Sequence, residues 1–79
     1  MGYTISMETT IIHIMESWPL QLVLQSDSVR EDVVLDENVR IYRAGVLVDP
    51  GVLRPGQRVR VLRRAPDSDT TVTELEIIP

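Results

Sequence analysis

Residues 53–78 constrain this chain more than any other stretch, because a proline–glycine pair opens a segment in which apolar and charged residues alternate. In Leu53-Arg54-Pro55-Gly56 the proline presets φ near −65° and the glycine supplies φ above zero, the needs of the two central positions of a type II turn. A strand is predicted from Gln57, with Val59 and Val61 alternating with Arg58 and Arg60. After a break at Ala65-Pro66-Asp67-Ser68-Asp69, a second strand is predicted from Thr71 to Ile78. Antiparallel pairing about residue 67 predicts Arg60 opposite Glu74, Arg58 opposite Glu76 and Val59 opposite Leu75. That register gives a core face of Val59, Val61, Thr73, Leu75 and Ile77, with Leu62, Val72 and Ile78 on the arginine side.

A chain of 79 residues makes one domain, residues 1–79, of a size that buries only about 60% of the surface its unfolded form exposes. It has no cysteine, so neither disulfides nor thiolate metal sites supplement the core. Val, Ile and Leu without Phe favour strands through β-branching. The net charge of −4 argues against general affinity for nucleic acid or anionic membrane. No apolar run approaches the roughly 18–20 residues that cross a bilayer, and no signal peptide is visible at the N-terminus. A soluble protein is expected, with the cytoplasm as the default compartment and an exported domain of a longer chain as the alternative.

Taken in order, residues 3–15 read as one long strand whose inward phase changes from Tyr3, Ile5 and Met7 to Ile12 and Ile14, which calls for a bulge near Glu8 to Thr10. Glu16-Ser17-Trp18-Pro19 interrupts, and Leu20, Leu22 and Leu24 alternate with polar residues. Turns are predicted at Gln25–Ser28 and Asp36–Asn38, bounding a third strand over Val29–Leu35. A fourth strand carries Val39 and Ile41, Ala44-Gly45 makes a tight turn, and Val46–Val48 is a short strand. Asp49-Pro50-Gly51-Val52-Leu53 reads as one helical turn capped by Asp49. Five or six short strands at regular spacing, with at most that one helical turn, predict an all-β, closed or partly open small barrel.

The run Val39-Arg40-Ile41-Tyr42-Arg43-Ala44-Gly45, the segment Leu53-Arg54-Pro55-Gly56-Gln57-Arg58-Val59-Arg60-Val61 and the closing Leu75-Glu76-Ile77-Ile78 resemble bacterial OB-fold-like barrel domains of uncharacterised function. The resemblance covers roughly residues 20–78 and implies a barrel with an open face that binds something.

No catalytic constellation stands out. His13 is alone, without the further ligands that a metal site needs, and there is neither a Gly-x-Ser-x-Gly elbow nor a glycine-rich phosphate loop. No enzyme activity, metal or cofactor is expected. Trp18, the single tryptophan, is expected to pack over a barrel end in preference to standing exposed as an interface anchor. The first expectation for function is a non-catalytic module working through protein–protein contact or self-assembly, with Trp18, Arg40, Tyr42, Arg58 and Arg60 as the partner surface. The alternative is single-stranded nucleic-acid binding along the arginine-bearing strand, against which stand the predicted Arg–Glu pairs and the scarcity of aromatic stacking platforms.

Overall fold

The computed structural model describes residues 8–79. The Tyr3, Ile5 and Met7 half of the expected first strand lies outside the described residues. The chain forms six strands, β1 (Glu8–Met15), β2 (Gln21–Ser26), β3 (Val29–Arg43), β4 (Val46–Val48), β5 (Arg58–Ala65) and β6 (Ser68–Ile78), with one 3₁₀ turn at Pro50–Val52. Hydrogen bonding runs β2-β1-β5-β6-β3 and closes through a β2–β3 pairing, so five strands make a ring and β4 flanks β3. All pairings are antiparallel except β3 with β6. Because β5 returns to lie beside β1, the run β5-β1-β2-β3 is a Greek key. The expected small all-β barrel is therefore the observed architecture, and no helix among the described residues is long and apolar enough to cross a membrane.

Alternation sets the lining. Ile11, Leu22, Leu24, Val33, Leu35, Ile41, Leu53, Val59, Val72, Leu75 and Ile77 form one buried cluster, and among the described residues no polar residue is buried as a whole with them. The turns follow local chemistry. Gly56 takes φ +95°, and the Gln57 amide donates to the Arg54 carbonyl, which closes the expected turn. Asp49 caps the 3₁₀ turn, its Oδ1 accepting from the Gly51 amide at 2.7 Å.

Four expectations need correction. Arg60 stands opposite Glu76, not Glu74, and Arg58 opposite Ile78, not Glu76; Val59 meets Ile77. The turn is tighter than the expected loop, with Ala65 already paired to Ser68, and register shifts follow it at Arg64, Arg63 and Val61. Asp69, Thr70 and Thr71 bulge out of that ladder, held by the contact between the Ser68 and Thr70 hydroxyls at 3.2 Å and the Thr71 hydroxyl donating to Ser68 at 3.0 Å. The net displacement is even at Val59 and Arg60, so both keep their faces, but Val72 turns inward and is fully buried while Val61 and Thr73 are only half-buried.

In β1 the bulge falls between Ile11 and His13, not between Glu8 and Thr10. Ile11 is thereby buried and Ile12 faces out. The third and fourth expected strands are one, β3, because Asp36-Glu37-Asn38 makes an irregularity within a continuous strand and not a turn. Asp36 Oδ2 accepts from the Asn38 amide at 2.9 Å, expressing the local turn tendency as a bend while β3 stays paired with β2 before it and β6 on both sides of it. Lastly, Trp18 does not pack over the barrel: it is 72% exposed.

Candidate interaction surface

The arginine-bearing face is built by register across the outside of the barrel. One row runs Glu8, Arg60, Glu76, Tyr42, Leu47 through β1, β5, β6, β3 and β4. The next row sets Glu74 between Arg40 of β3 and Arg63 of β5. Arg60 is divided between two carboxylates, Glu76 at 2.9 Å and Glu8 at 3.5 Å, and its Nε is buried. Arg58 reaches Glu8 at 3.3 Å. Within these two rows guanidinium alternates with carboxylate, an arrangement that helps to fix register.

Arg40, Tyr42, Arg58 and Arg60 thus lie on one outer face. Trp18 does not join them. It sits in the β1–β2 connection, beside the β3 bend and Thr71 of β6, at the other end of the β3–β6 ladder. Its connection is pinned: the Ser17 amide donates to the Met15 carbonyl at 2.9 Å, the Ser17 hydroxyl to the Pro19 carbonyl at 3.1 Å, and the Leu35 amide to the Leu20 carbonyl at 2.8 Å. The Trp18–Pro19 peptide is cis. An exposed indole on a hydrogen-bonded loop is presented to solvent with little ordering left to do on binding, a favourable arrangement for an interface anchor.

Beside Trp18 lies an open cleft of about 250 Å³, lined by Pro19, Val34, Asp36, Glu37 and Thr71 among others. Sequence reasoning missed Asp36 and Glu37 as site residues, having assigned them to a turn; their adjacency to the tryptophan exists only in three dimensions. A larger open cleft of about 570 Å³ lies where Ile14, Leu20 and Leu53 meet the 3₁₀ turn, with Glu16 and Arg54 among its lining residues. Arg54 is committed to its own backbone there, Nη1 donating to the carbonyls of Gly51 at 2.7 Å and Leu53 at 2.8 Å. Among the described residues no three His, Cys, Asp or Glu side chains are grouped as metal ligands, and His13 is exposed on β1.

No protein-family model matches this chain, and comparison with curated proteins and with solved structures found no match. Site geometry therefore carries the functional reading.

Proposed function

We propose that this barrel is a non-catalytic protein-interaction module that engages its partner through the β1–β2 connection, with Trp18 as the anchor. The observation that carries the reading is the indole, 72% exposed on a loop whose backbone is already hydrogen-bonded. Tryptophan on a monomer's surface gives up much favourable burial, and it is among the residue types that dominate binding energy at interfaces. The ring order is OB-like, and barrels of that kind bind oligonucleotides and oligosaccharides on the face of their second and third strands and on two loops, one of which joins the first two strands. Here that loop carries Trp18.

The outer side of β2 and β3 bears Gln21, Val23, Gln25, Arg30, Asp32 and Val34. One arginine, one aspartate and no aromatic ring make a poor platform for stacked bases, so the same surface favours protein over single-stranded nucleic acid. The test replaces Trp18 with a photo-reactive benzophenone side chain in the full chain, and Val46 likewise as a control, exposed on the β3–β4 hairpin at the far end of the β3–β6 ladder. On irradiation in cells expressing the protein, position 18 is expected to give adducts of discrete mass that survive nuclease, and position 46 none. Nuclease-sensitive adducts would transfer the function to nucleic-acid binding, and equal labelling at both positions would count against any defined surface.

A further inference from the structure

We infer that the cleft beside Trp18 receives a basic side chain, an arginine above all, from a partner peptide; the inference rests on the protein-interaction reading and specifies its chemistry. Three observations converge. The cleft, at about 250 Å³, suits one long side chain and not a folded element. Its lining combines an exposed indole with Pro19 and Val34, and includes two consecutive acidic residues, Asp36 and Glu37. A guanidinium satisfies both halves at once, stacking its plane on the indole and offering forked N–H donors to the carboxylates.

Charge distribution favours the same occupant. Among the described residues, Glu8, Glu31 and Glu76 have arginine partners within ion-pair distance; Asp36 and Glu37, like the remaining acidic side chains, have none, and what sets these two apart is their place beside Trp18. The Asp36 carboxylate is oriented by accepting from the Asn38 amide through Oδ2, and its Oδ1 makes no such bond. With a net charge of −4 the chain attracts a basic segment from a distance, and the unpaired carboxylates beside Trp18 give that attraction a place to end. A phosphate-bearing partner meets repulsion at the same spot.

Trp18 is the only tryptophan, so its emission reports on the cleft directly. The probe is a nonapeptide of alternating glycine and arginine with capped ends, titrated into the full chain at about 0.15 M salt, where long-range attraction is screened beyond roughly 8 Å. A saturable change in Trp18 emission is expected. Replacing every arginine of the peptide by citrulline, which keeps the shape and removes the charge, is expected to weaken binding about ten-fold or more. The same loss is expected for Asp36→Asn combined with Glu37→Gln, a variant that keeps an oxygen to accept from the Asn38 amide. The charge-matched control, Asp27→Asn with Asp67→Asn, lies in two tight turns that tolerate asparagine and is expected to bind as the parent does.

Equal weakening by the two double variants would reduce the effect to net charge and overturn the proposal, as would an emission that does not saturate. An emission change produced by concentrating the protein alone would make a second copy the occupant and overturn the peptide assignment. If the peptide fails while position 18 still cross-links to protein, the partner's chemistry is wrong and the interaction reading stands; if both fail, that reading falls too.

Discussion

At the scale of single residues, one ion pair, Arg64 with Glu31, fastens the β5–β6 turn to the barrel. Arg64 makes a two-pronged contact with Glu31, Nη1 to Oε2 at 2.6 Å and Nη2 to Oε1 at 3.1 Å, and Nη1 also donates to the Asp69 carbonyl. It ties the β5–β6 turn to the first half of β3, ahead of the point where β3 and β6 begin to pair at Val34 and Thr71. The Glu31 hydrogen bond raises the Arg64 pKa above its ordinary value, opposed by burial and assisted by the charges of Glu31 and Asp69. A raised pKa on a base means a contribution fully present below the unfolded-state value and lost only as pH climbs through the folded one. For arginine that window lies far into alkali, so the pair contributes evenly across neutral pH. Glu31→Gln is expected to cost about 1 kcal/mol, because both side chains are a third or more exposed. Urea unfolding at neutral pH measures it, and added salt should shrink the difference.

Among elements, the turns follow from composition and the strand irregularities do not. Ala44 and Gly45 sit at φ 52° and 78° between the paired Arg43 and Val46, two positive φ values in a two-residue hairpin, as a type I′ turn requires. Glycine meets that demand without strain, whereas alanine occupies the left-handed region at a cost of roughly 1 kcal/mol. Ala44→Asn is therefore expected to raise stability by about 0.5–1 kcal/mol, read as a higher urea midpoint with an unchanged slope. The same chemistry misleads at Asp36-Glu37-Asn38, where turn-forming residues bend β3 without ending it. Backbone groups on both sides of that bend are claimed by β2 and β6, and pairing with distant strands outweighs a local preference worth less. The bulge at Ile12 was equally illegible: Ile11, Ile12 and Ile14 are all apolar, so alternation alone does not say which of them turns outward.

For the whole molecule, closure decides which charges meet. The ring brings β1 beside β5, and Glu8 thereby becomes a partner of both Arg58 and Arg60 across some fifty positions of sequence. Arg58 and Arg60 share one outer face with Arg40 and Tyr42. Their pairing with Glu8 and Glu76 gives them a structural task there. Replacing both by glutamate would set four carboxylates together, with an expected loss of about 1–3 kcal/mol by urea unfolding. Affinity for a single-stranded oligonucleotide, followed by light scattering at low and moderate salt, is expected to stay negligible in the parent and the variant alike. A salt-sensitive complex with the parent that the variant loses would instead assign these arginines to phosphate.

What the sequence determined by itself was the local part: strand character from alternating β-branched residues, turns at Pro55-Gly56 and Ala44-Gly45, the Asp49 cap, and the inward facing of Leu22, Leu24, Ile41, Val59, Leu75 and Ile77, since facing in or out follows from period two wherever no bulge intervenes. Only the tertiary structure decided which glutamate each arginine meets, that Val72 turns inward, that Trp18 stands in solvent, and that Asp36 and Glu37 stand beside it. Each of these depends on bulges and on ring closure between segments far apart in the chain. A single inserted residue in one strand changes register and facing for every residue beyond it, and no local pattern of polarity records that choice.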